Sequence, residues 1–149
     1  MAAPVSAHAA ARRMCERSGW QLTNLHLQKM LYLAQMMYLG RHGGEPLMSG
    51  TFEAWDYGPV LPSVYGEAKS YGSRPITYLM PFGHVPDGDR ADILDEATDD
   101  LAKIPAGQLV NITHWKDGAW AKHYVPHKRG IIIPNEDILD EFRRRFPQG

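Results

Sequence analysis

From Leu25 to Leu39, apolar side chains fall on every side of what would be one helix. Leu27, Met30, Leu31, Ala34, Met37 and Tyr38 recur at three- and four-residue spacing and make its main stripe. Leu25, Leu33, Met36 and Leu39 cover the opposite side. A helix that is apolar all round is buried all round, so the rest of the chain must wrap around this segment. His26, Gln28, Lys29 and Gln35 interrupt it, and the apolar run is too short for a membrane span.

The flanking sequence predicts further helices. Ser6 is placed to cap a first helix running to about Ser18, with Ala7, Ala10, Ala11, Met14 and Cys15 on its apolar side and Gly19 at its stop. Thr23 or Asn24 caps the central helix, which runs out near Gly40–Gly44. Glu45 to Asp56 reads as extended, with Thr51, Phe52 and Trp55 favouring a short strand or hairpin, and Gly58-Pro59 reads as a turn. Pro62 suits the first turn of a third helix, which Gly72 stops. Asp87 or Asp89 is expected to cap a fourth helix that Pro105 ends, and a fifth follows from Ala106 to His114. Trp115 to Arg129 reads as loop and Ile131–Ile133 as a short strand. Asn135 is expected to cap a last helix that carries acids in its first turn and Arg143, Arg144 and Arg145 in its last, as the helix dipole prefers. The expectation is one mainly α domain over 1–149, core about 7–145: a compact body of about six helices with a small β-hairpin or short-strand appendage.

Composition narrows the function. The net charge of −1 speaks against a free-standing nucleic-acid binder, which normally shows a basic face. The single cysteine, Cys15, excludes an internal disulfide and suits a reducing compartment. With no signal-peptide pattern read at the N-terminus, the expectation is a cytoplasmic protein without membrane contact.

The segment Leu-Gln-Lys-Met-Leu-Tyr-Leu-Ala-Gln at Leu27–Gln35 is followed by Glu-Ala-Trp-Asp-Tyr-Gly-Pro-Val-Leu-Pro-Ser-Val-Tyr at Glu53–Tyr65 and by Lys-Ser-Tyr-Gly at Lys69–Gly72. In this order these residues resemble the Panacea, or SocA-like, domain. The stretch Leu109–Trp120, with Thr113-His114 and then both Trp115 and Trp120, is similar to that family's second signature, and Ile133 with the closing helix fits its C-terminus. The resemblance implies an antitoxin of a bacterial or phage toxin–antitoxin pair. Such a protein contacts its cognate toxin directly, and the SocA-like group is also linked to delivery of the toxin to an ATP-dependent protease. A homodimer is left open.

The residues themselves point to holding rather than reacting. Trp55, Tyr57, Gly58, Pro59, Val60 and Tyr65 form an aromatic corner, and Trp and Tyr dominate interface hot spots. With His114 and Trp120 they are the candidate partner-binding set. The competing reading puts Trp55 and Tyr65 in the core and gives Gly58 a purely conformational reason. The acidic run Asp87 to Asp100 reads first as a solvated helix side and second as a contact for a basic toxin. His114, His123 and His127 lack the spacing and the companion ligands of a metal site, and no cofactor is expected. Cys15 reads as a buried, inert thiol. Two other classes remain: a nucleic-acid-binding regulator using Lys128-Arg129 and Arg143–Arg145, and a small hydrolytic enzyme using His114 with Asp117 or a nearby hydroxyl as acid–base groups.

Overall fold

The computed structural model describes residues 3–147. Among them are seven α-helices, α1 (Ala7–Arg17), α2 (Asn24–Arg41), α3 (Pro62–Ala68), α4 (Asp89–Leu101), α5 (Ala106–Thr113), α6 (Ala119–His123) and α7 (Asn135–Arg145). Three short strands, β1 (Phe52–Trp55), β2 (Gly58–Val60) and β3 (Ile132–Ile133), form an antiparallel sheet in the order β2-β1-β3.

The apolar segment sits at the centre, but burial is not complete on all sides: Leu25, at its start, is exposed, and Leu33 and Met37 are only partly covered. Helix α2 packs against α1, α3, α4, α5, α7 and β2. Leu27, Met30, Leu31, Tyr32 and Ala34 are wholly buried in it. Three of its polar residues, Gln28, Lys29 and Gln35, are buried too, and each fastens a neighbouring segment. Gln28 accepts the main-chain N–H of Leu61 (2.8 Å), Lys29 donates to the Pro59 carbonyl (2.7 Å), and Gln35 accepts the N–H groups of Leu47 (2.9 Å) and Met48 (3.2 Å). A buried polar group without a partner is costly, so these three side chains dictate where the chain after α2 must lie.

Two glycines permit close approaches. A Cβ on Gly40 would lie 2.1 Å from the Phe142 ring, so its absence lets α7 close on α2. A Cβ on Gly118 would lie 2.9 Å from the Glu141 carboxylate. That carboxylate is wholly buried and accepts from Tyr32 Oη (2.7 Å), Ala119 N (2.9 Å) and Arg145 Nε (2.8 Å).

Several expectations hold and several are corrected. Ser6 and Thr23 cap α1 and α2 with their side chains, and Pro62 opens α3. The caps expected from Asp87 or Asp89 and from Asn135 are not formed: Gly88 and Pro134 occupy those positions without a side-chain bond, and Asn135 turns inward to accept from Gln35 (3.1 Å). The stretch read as loop after Trp115 contains α6, a helix of five residues.

The hairpin turn is also shifted from its expected place. Asp56 and Tyr57 form its tip, and Gly58 and Pro59 belong to β2. Pro59 is tolerated there because β2 is an edge strand, where a missing ladder N–H costs little.

Three acids of α4 are occupied from within. Arg13 holds Asp95 through two hydrogen bonds (2.8 and 2.9 Å), Arg17 holds Asp99 (both 2.8 Å), and Arg41 holds Glu96 (3.0 and 2.9 Å).

Candidate functional site

The β1–β2 hairpin, the start of α2, α3 and the 127–129 segment enclose a cavity of about 610 Å³. Trp55, Tyr57 and Tyr65 are its aromatic lining. Trp55 and Tyr65 are half-buried and meet edge to face, with ring centroids 4.8 Å apart. Tyr57, at the hairpin tip, is 71% exposed and touches little of the body. Val60 is buried at the inner end, beside Gln28 and Lys29.

Charge is distributed unevenly around this cavity. Lys69, Lys128 and Arg129 line it and are solvent-exposed. Arg129 lies over the Trp55 ring, its guanidinium carbon 3.9 Å from the centroid, and 5.8 Å from that of Tyr65. The 124–130 segment is tied down by two carboxylates of the hairpin. Asp56 accepts from Tyr124 Oη (2.6 Å) and His127 N (3.0 Å), and Glu53 accepts from Gly130 N (3.0 Å) and the Trp55 indole (2.9 Å). The Tyr124 bond, followed by the His127 N–H, holds the Asp56 carboxyl below its ordinary range. His127 adopts a left-handed backbone (φ 61°), unusual for a residue with a side chain.

Behind the hairpin stands a stack of rings. His114 and Trp120 lie parallel at 3.8 Å, and Trp120 and Tyr124 follow at 4.4 Å. The Trp120 indole donates to the Trp55 carbonyl at 2.7 Å. Trp115 points elsewhere, under the Arg145 guanidinium. Trp120 is therefore the tryptophan that braces the corner.

At the inner end, Lys29 is wholly buried and donates to the Pro59 carbonyl. Burial pushes its amine down to about 7. Gly58 lies against it: the φ of +116° suits glycine, and a Cβ would come within 2.8 Å of Lys29 Cε. His114 is lowered from its ordinary value, first by burial and then by the nearby Lys29 charge, while its bond to the Tyr57 main chain works the other way.

The eight residues named from sequence thus divide. Trp55, Tyr57, Val60 and Tyr65 line the cavity; Gly58 and Pro59 are buried against Lys29; His114 and Trp120 brace the hairpin from behind. No hydrogen bond joins His114 to Asp117, and His114 Nε2 is buried without a partner, so that alternative acid–base pair is not assembled. Cys15 is buried and its thiol is pushed up to about 12, which removes it as a nucleophile. Among the described residues, no group of three or more histidines, cysteines and carboxylates is placed to hold a metal ion, and no helix is long and apolar enough to cross a membrane. Sequence reading missed Lys29 and Arg129 as members of the site. A lone lysine in a helix with apolar residues on every side was the available signal for the first.

Residues 27–84 match the family model described as "Antitoxin SocA-like, Panacea domain". Over that stretch the chain is similar to SocA-like Panacea domains. The Panacea match takes in most of α2, the hairpin and α3, and so every aromatic residue of the cavity wall. Lys128, Arg129, His114 and Trp120 lie beyond it. The curated Antitoxin SocA of Caulobacter vibrioides (strain NA1000 / CB15N) is 32% identical over 110 residues, which cover 66% of this chain and 58% of that protein. The chain spans less than two thirds of that relative's length. No solved structure matches it.

Proposed function

We propose that this chain is an antitoxin that binds a cognate protein toxin and holds it inactive, with the cavity beside the hairpin tip as the contact. The observation that carries this reading is the exposure of Tyr57 next to the half-buried Trp55 and Tyr65, in a cavity whose aromatic wall lies within the SocA-like match. Large, rigid, partly apolar rings held at a preorganised site are what strong protein contacts are built from. The anchoring is extensive: Trp120 fixes Trp55, Asp56 and Glu53 fix the 124–130 segment, and Lys29 fixes Pro59. A preorganised surface loses little entropy on binding.

Co-expression with the product of the neighbouring gene tests the reading. The expected result is rescue of growth and a complex that survives purification. A toxin whose cellular level stays constant during rescue indicates masking. A level that falls, and recovers when an ATP-dependent protease is deleted, indicates delivery by an adaptor. No complex and no rescue would refute the proposal.

A further inference from the structure

Among the described residues, the exposed cations around this cavity lack carboxylate partners. Most other surface arginines are paired, as Arg13, Arg17, Arg41, Arg144 and Arg145 show. Among the described residues no carboxylate lies within ion-pair distance of Lys69, Lys128 or Arg129. The one carboxylate lining the cavity, Asp56, is already engaged by Tyr124 and His127. The chain as a whole is slightly acidic, so three unpaired cations around one aromatic cavity are a local concentration of positive charge. Arg129 also shows how a guanidinium is held there: its carbon sits 3.9 Å from the Trp55 ring centroid, and among the described residues no acceptor takes its N–H groups.

We propose that the cavity takes an acidic segment of a protein partner: an aromatic or long apolar side chain against Trp55, Tyr57 and Tyr65, with flanking Asp or Glu carboxylates on Lys69, Lys128 and Arg129. The proposal rests on the antitoxin reading for who the partner is, and on the cavity alone for the partner's chemistry. A carboxylate reaching Arg129 gains a charge-assisted hydrogen bond to a guanidinium already oriented by Trp55. Long-range attraction to the cluster also speeds encounter and makes it sensitive to salt. A peptide is favoured over a nucleic-acid strand because the charge is confined to one bounded cavity. A strand would need a track of cations along its phosphates.

Two measurements on the full chain test this. The first compares toxin affinity of a cavity variant, Lys69→Glu with Lys128→Glu and Arg129→Glu, with that of a control, Lys103→Glu with Lys116→Glu and Arg143→Glu. The expected result is a loss of about 100-fold for the first and less than about threefold for the second, since tenfold corresponds to only a small interaction energy. The single change Lys128→Gln, at an exposed position, should lower affinity several-fold and flatten the salt dependence without touching the fold. Equal affinities of cavity and control variants would overturn the inference while leaving the antitoxin reading intact.

The second measurement needs no toxin. The acetylated, amidated pentapeptide Glu-Asp-Phe-Glu-Asp, its Gln-Asn-Phe-Gln-Asn counterpart and a short oligo-dT strand are titrated to millimolar concentration while the Trp55 indole and Arg129 side-chain N–H resonances are followed. The acidic peptide alone should shift both. Binding of oligo-dT without the acidic peptide, equal binding of the neutral peptide, or no shift at all would each overturn the proposal.

Discussion

The Lys29 ammonium nitrogen, on the central helix, lies 2.7 Å from the main-chain carbonyl of Pro59, and it anchors the hairpin to the centre of the fold. The bond puts a titratable group at the inner end of the candidate site. Burial lowers the amine to about 7; an unfolded chain titrates its lysines near ~10.4. Between those values the unfolded chain holds the proton that the folded chain has lost, so stability rises with pH across the window. Below about 7 both states are protonated and the slope vanishes.

The variant Lys29→Met removes that titration. Subtracting its unfolding free energy from that of the native chain at each pH cancels the other groups, Cys15 included. The difference should move in favour of the native chain from pH 7 to 9. A difference that does not change with pH would show that Lys29 keeps its ordinary titration in the fold. Denaturant unfolding at several pH values checks it.

Gly40→Ala should be destabilising, although alanine inside a helix ordinarily gains about 0.5–1 kcal/mol over glycine. The new methyl would lie 2.1 Å from the Phe142 ring, so α7 must withdraw from α2. A loss of about 2–4 kcal/mol is expected from overpacking of this kind. Adding Phe142→Ala should relieve part of it, giving a favourable coupling in a double-mutant cycle.

Trp120→Phe keeps a ring against His114 and deletes the indole donor to the Trp55 carbonyl. The expected cost is about 1–2 kcal/mol, that of a lost partner at a sheltered carbonyl. Toxin affinity should fall as well, because the carbonyl belongs to the residue that walls the cavity. Loss of stability with unchanged affinity would separate the brace from the site.

Gly58→Ala brings two penalties together, a positive φ and a methyl 2.8 Å from Lys29 Cε. It should cost about 1–3 kcal/mol. The part due to contact should shrink in a Lys29→Ala background, and the part due to φ should not. Thermal unfolding of the four proteins in that cycle measures both.

The central position of α2 was legible because apolar residues on all sides form a pattern that needs no tertiary knowledge. Caps at Ser6 and Thr23 and the proline opening α3 were legible for the same reason: each is a bond or a ring constraint within a few residues. The hairpin turn was misplaced because Gly58-Pro59 is the stronger local turn signal, yet the close approach of Lys29 draws those residues into β2. Helix α6 was missed because five residues are too few to display a period. The aromatic half of the site is contiguous in sequence and was read. Its cationic half was not, since Arg129 meets Trp55 only through the fold, and no spacing along the chain announces that meeting.

Tyr57 offers the most direct test of the central claim, that this corner holds a partner. Its side chain is largely exposed and adds little to the core, so Tyr57→Ala should leave the unfolding temperature unchanged. The measurement is calorimetric titration of the purified native and Tyr57→Ala chains with the neighbouring-gene toxin. We predict that the variant binds about 10- to 100-fold more weakly, the range of an aromatic hot spot. Equal affinity of the two chains would contradict the account.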